Sequence, residues 1–93
     1  MKKAPDWFMK RMVSGVHFLL GLPLRGVPRH APTDFVASIW ISSLWDESEP
    51  WDERLDDARL HHAFDRLAAS TDHFPRPEDL RGCLRPRPDA PLN

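Results

Sequence analysis

Proline placement divides this chain of 93 residues into segments before any other property is considered. Pro5 stands near the start, Pro23, Pro28 and Pro32 share one stretch, and Pro50 stands alone. Pro75 and Pro77 form a pair, and Pro86, Pro88 and Pro91 crowd the end. Proline has a fixed φ and no backbone N–H, so it suits the first turn of a helix and is excluded from helix interiors and central strands. Regular structure is thereby confined to the intervals between these prolines. None of those intervals alternates apolar and polar residues as a half-buried strand does, and no internal repeat is present. The spacing is helical instead. The fold class expected is all-α, a small bundle of three to four helices with a proline-rich C-terminal tail.

The first interval predicts a helix from about Pro5 to Leu20, with Pro5 at N1, Asp6 at the positive end of the dipole and Gly21 as the C′ glycine. Phe8, Met12, Val16 and Leu19 form one face, widened by Val13 and Leu20. Gly15 inside it costs about 1 kcal/mol relative to alanine, and His17 reads as a hydrogen-bonded core histidine. Leu22–Pro32 is a connecting loop. A second helix is expected from Thr33 to about Trp45, capped by Thr33 or Asp34. Its stripe of Phe35, Val36, Ile39, Trp40 and Leu44 is extended almost all round by Ile41 and Trp45, which makes it the expected central helix. A third runs from Trp51 or Asp52 to about Ala69, with an early row (Trp51, Leu55, Ala58) and a later one (Leu60, Ala63, Phe64, Leu67). A short helix over about Pro77–Leu84 has Glu78 and Asp79 in its first turn. Residues 1–84 form a single helical domain in this reading, and residues 85–93 an extended Arg/Pro tail of polyproline-II type.

With 41% hydrophobic and 29% charged residues, the chain is neither membrane-like nor compositionally disordered. Its longest uncharged run, Met12–Leu24, has thirteen residues, against about 20 for a spanning helix. Cys83 is the single cysteine, which excludes an intrachain disulfide and points to a reducing, cytoplasmic setting.

The formal net charge of −1 conceals an uneven distribution. Residues 1–31 carry +5, residues 32–57 carry −7 and residues 58–93 carry +1. Seven acids fall within Asp46–Asp57, flanked by Trp45 and Trp51: Asp46, Glu47, Glu49, Asp52, Glu53, Asp56 and Asp57. Closely spaced carboxylates can imitate a phosphate backbone and occupy a basic groove, with the tryptophans as anchors. The plainer reading is a solvated helix start whose acids satisfy the dipole, with Trp51 packing inward. Basic residues at both ends, Lys10, Arg11, Arg81, Arg85 and Arg87, suggest phosphate contacts. Direct reading of DNA is nevertheless disfavoured, because the helix over 33–45 carries no Lys or Arg to reach base edges.

His61 and Asp65 stand at i, i+4, but zinc wants three or four ligands with recognisable spacing, so no metal or other cofactor is expected. Neither a phosphate-binding glycine loop nor a nucleophile elbow is present, and the chain has no tyrosine. The carboxylates lack an apolar pocket that would split their pKa values, and Cys83 has no evident base beside it. A binding protein is expected rather than an enzyme.

Several stretches carry a resemblance. Trp51-Asp52-Glu53-x-Leu55-Asp56-x-Ala58-Arg59-Leu60, Ala63-Phe64-x-x-Leu67-Ala68, Phe74-Pro75-x-Pro77 and Leu84-Arg85-Pro86-Arg87-Pro88 resemble a family of small uncharacterised proteins encoded in Mu-like, transposable prophages of proteobacteria. Leu20-x-Leu22-Pro23-Leu24 and the Trp40–Trp45 helix are also similar, so the resemblance covers about residues 20–88. Phe74 stands where the pattern has Trp, and the basic N-terminal region has no counterpart. The resemblance implies a mobile-element accessory protein that binds host or phage machinery, as anti-CRISPR proteins do. The leading expectation is stoichiometric inhibition of a host nucleoprotein complex, a CRISPR effector above all. In it Trp45, Trp51 and the seven acids face a basic DNA-binding surface, away from any membrane and with the oligomeric state open. The alternative is a replication or regulatory accessory that binds nucleic acid through the basic ends.

Overall fold

The computed structural model describes residues 4–46 and 51–87. The chain is all-α, as expected, with helices α1 (Asp6–Leu20), α2 (Thr33–Leu44), α3 (Glu53–Ser70) and α4 (Pro77–Arg81). Two of them start directly after a proline rather than on it. Pro5 and Pro32 are extended N-caps, and their carbonyls accept the first helical N–H groups, from Phe8 and Met9 and from Phe35 and Val36. Gly21 closes α1 in a right-handed conformation, so no left-handed glycine cap is used. α4 stops at Gly82, short of Leu84. Asp79 steadies its start by accepting the Arg76 N–H at 2.9 Å.

α1 lies between α2 and α3, and α4 packs against both outer helices. The central helix is therefore α1 and not α2. The reason is visible in how the faces are used. Phe8, Met12, Val16 and Leu19 of α1 are completely buried. α2 buries Val36, Ala37, Trp40 and Leu44 but leaves Phe35 58% and Ile39 48% exposed. Its apolar breadth exceeds what its neighbours cover. His17, expected in the core, is exposed: it follows Phe8 by nine residues, about two and a half turns, and so sits on the opposite side of the helix.

α2 and α3 meet over the top of α1 through Trp40, which stacks on Phe64 with centroids 5.9 Å apart and also meets Phe74 edge-on at 6.3 Å. Gly15 makes this arrangement possible. It is buried on α1, and a Cβ there would stand 2.3 Å from the Phe64 ring. Alanine at this position gains about 1 kcal/mol of helix propensity and forces apart a ring already fixed by Trp40, at a cost of about 1–3 kcal/mol. Gly15→Ala is accordingly expected to lower stability, whereas an exposed helical glycine gains from the same change; urea denaturation gives the sign.

In α3 the later row of Leu60, Ala63, Phe64 and Leu67 is buried as expected. The early row is not: Ala58 is exposed, and the side chain that turns inward is Asp56. The loop between α1 and α2 is tied to the α3–α4 connection. Arg25 N–H donates to Asp72 O at 3.1 Å and Phe74 N–H to Arg25 O at 2.7 Å, beside an exposed Arg25–Asp72 ion pair.

Candidate functional site

The acidic segment rests on an aromatic base. Phe8 is enclosed by Trp7, Trp45 and Trp51, with ring centroids 5.6, 5.3 and 5.4 Å away. Trp51 Nε1–H donates to Leu44 O at 3.2 Å, and Arg81 reaches the same carbonyl at 3.2 Å. The exit of α2 and the entrance of α3 are thus held against α1. Trp45 and Trp51 are half-buried members of the core edge, so they act as packing residues here and not as free anchors. Glu47 and Glu49 lie outside the described residues.

The remaining acids divide into two groups. Asp46, Asp52 and Glu53 are exposed. Asp52 is the N-cap of α3, accepting the Leu55 N–H at 3.2 Å, and Glu53 occupies the first turn where the dipole favours it. Asp56 and Asp57 face inward, which corrects the expectation of one continuous exposed run.

Asp56 is completely buried. Its carboxylate accepts the Asp52 N–H at 2.7 Å, the Arg59 guanidinium, and Arg87 through Nε at 3.1 Å and Nη2 at 2.8 Å. Burial pushes its pKa up, but the hydrogen bonds from Arg87, the Asp52 backbone and Arg59 outweigh it and hold the carboxyl below its usual value. Asp57 pairs with Arg11 of α1 in a fork, 2.9 Å to Nε and 3.0 Å to Nη2. That pair lowers the Asp57 pKa and raises that of Arg11. Arg11 Nη1 also meets His61 Nδ1 at 2.9 Å. His61 therefore accepts on Nδ1 and carries its proton on Nε2, 3.5 Å from Asp65.

These bonds also engage the basic ends. Of the residues assigned to phosphate contact, Arg11 is held by Asp57 and His61, Arg81 by Leu44 O and Arg87 by Asp56. Arg85 has an exposed side chain, but its carbonyl accepts Arg59 Nε at 2.6 Å. The expected extended tail is thus pinned to α3 at its first residues, while residues 88–93 lie outside the described part. Lys10 stays exposed.

Between α1 and α3 lies a groove of about 260 Å³, floored by Gly15, Phe18 and Phe64 and rimmed by Arg11, Ser14 and His61. Sequence reasoning did not anticipate it; a glycine on the buried face of a helix was the available signal. Among the described residues no group of three His, Cys, Asp or Glu side chains is placed to hold a metal ion, and no helix is long and apolar enough to cross a membrane. Cys83 is half-buried against the core edge. Comparison with protein-family models, curated proteins and solved structures finds no match for the chain.

Proposed function

We propose that this chain is a phage- or prophage-encoded binding protein that inhibits a host nucleoprotein complex stoichiometrically, in the manner of an anti-CRISPR protein in the bacterial cytoplasm. Its acidic corner competes with DNA for a basic surface. The observation that supports this most directly is the placement of the exposed acids. Asp46 follows Trp45 and Asp52 follows Trp51, and both tryptophans pack on the same Phe8 ring. Glu53 continues the corner into α3. A rigid base that presents carboxylates without ordering cost is what competition with a polyanion requires. Glu47 and Glu49 belong to the same segment of sequence. Asp56 and Asp57, already neutralised by arginines, are assigned to support the corner rather than to contact the partner. The resemblance to prophage accessory proteins supplies the biological setting of the proposal.

The test is a set of charge changes that keep the fold. Asp46→Lys and Glu53→Lys are combined with Asp52→Asn, since asparagine caps as well as aspartate. Association with a purified CRISPR effector complex, measured by interferometry, is expected to slow by about tenfold or more and to lose most of its salt dependence. Unchanged association by the triple variant excludes the acidic corner, and absence of any complex with the unmodified chain excludes the target. The alternative, nucleic-acid binding through Lys10, Arg11, Arg81, Arg85 and Arg87, predicts retention of DNA in a gel shift at moderate salt.

A further inference from the structure

α2 presents to solvent a face that the rest of the described fold leaves uncovered. Phe35, Ser38, Ile39, Ser42 and Ser43 are exposed and follow one another at helical spacing along one side. Val36, Ala37, Trp40 and Leu44 occupy the buried side. No charged residue falls between Asp34 and Asp46. The exposed faces of the other two long helices are charged, with Asp6 and Lys10 on α1 and Glu53, Arg54, Asp65 and Arg66 on α3. Ser38 already donates its hydroxyl to Phe35 O at 2.7 Å, so covering it leaves no unpaired donor.

Size and charge both select a second copy of this chain as the occupant. Phe35 and Ile39 stand out from a face otherwise made of serines. When a second α2 lies antiparallel, with the two-fold axis passing between Ser38 and Ile39, Phe35 of each copy meets Ser42 of the other and Ile39 meets Ser38. The large side chains of each helix then enter the gaps over the small ones of its copy, the self-complementarity that a two-fold interface requires. The helix is entered from Arg29 and His30 and left through Asp46, all exposed. Antiparallel pairing sets the basic entrance of each copy beside the acidic exit of the other, and the uncharged middle brings no like charges together at the axis. Parallel pairing sets like charges side by side at both ends.

We infer that α2 is the contact helix of a two-fold homodimer, paired antiparallel with its copy through Phe35, Ser38, Ile39 and Ser42. One helix face per copy falls at the small end of interface sizes, so the dimer forms reversibly as concentration rises. The contact shares only Asp46 with the acidic corner and does not depend on that reading.

Sedimentation of the full chain from micromolar to millimolar concentration tests the pairing. The unmodified chain is expected to pass from monomer to dimer. Ile39→Lys, which sets a cation on either side of the axis, is expected to weaken association by about tenfold or more. Its helical circular dichroism should be unchanged, because residue 39 lies outside the core. Phe35→Ser and Ser42→Phe are each expected to weaken association as well. The double variant Phe35→Ser/Ser42→Phe is expected to recover it, since the exchange returns one large and one small side chain to each contact. A chain that stays monomeric throughout overturns the inference and assigns the face to a different polypeptide. A dimer that Ile39→Lys leaves intact places the contact elsewhere, and a double variant no stronger than its single parents excludes the antiparallel register. Either result also overturns the inference.

Discussion

Phe8→Ala is expected to destabilise the chain by about 4 kcal/mol, the middle of the range for a buried aromatic. The side chain is completely buried, and its removal takes away the ring against which Trp7, Trp45 and Trp51 all pack. Each such aromatic pair adds about 0.5–1.5 kcal/mol to the area term. The cavity cannot close easily, because Trp51 is held by Leu44 O and Trp45 continues directly from α2. For a chain of this size, with a stability of about 5–10 kcal/mol, the loss consumes much of what holds the fold. Chemical denaturation measures the loss. Tryptophan emission should shift to the red at the same time, since the indoles that surround Phe8 gain access to water. Phe8→Leu, which fills most of the space, should recover more than half of the stability.

The second large effect is expected at Asp56. Asp56→Asn keeps the shape but leaves Arg59 and Arg87 facing a neutral group in a buried site, at a cost of about 3 kcal/mol. Its dependence on pH separates this effect from a packing loss. The folded carboxyl is held below its ordinary value, so the unfolded chain binds the proton first. The contribution is fully present above the unfolded carboxylate pKa of about 3.9 and is lost as pH falls through the lower folded value. The unmodified chain should therefore lose Tm on acidification below about pH 4, and Asp56→Asn should show a smaller loss over the same interval. A residual slope is expected from Asp57, whose carboxyl is lowered in the same sense by Arg11.

The contrast between Leu60 and Asp56 shows what a sequence reveals and what it withholds. Leu60, Ala63, Phe64 and Leu67 repeat at helical spacing, and burial follows from their chemistry alone. Asp56 sits one turn earlier on the same face, and its burial depends on Arg59 and on Arg87 at the other end of the chain. Periodicity carries no information about that pairing, so the acids of 46–57 read as one solvated run. Gly15 is a similar case. Its cost to the helix is legible, but the reason it is tolerated is the Phe64 ring lying against it. α2 differs for the opposite reason: Phe35 and Ile39 belong to its apolar stripe by chemistry, yet no helix among the described residues covers them. Helix boundaries were the most legible feature, because prolines and capping residues act through the local backbone.

The bond between Arg87 and Asp56 has a consequence for how the chain acquires its structure during synthesis. Residue 87 leaves the ribosome after all four helices have been made. Until then α3 can bury its acid with only one cation beside it, an arrangement that low dielectric penalises. The start of α3 is therefore less favourably placed until the Arg85–Arg87 segment closes over Asp56.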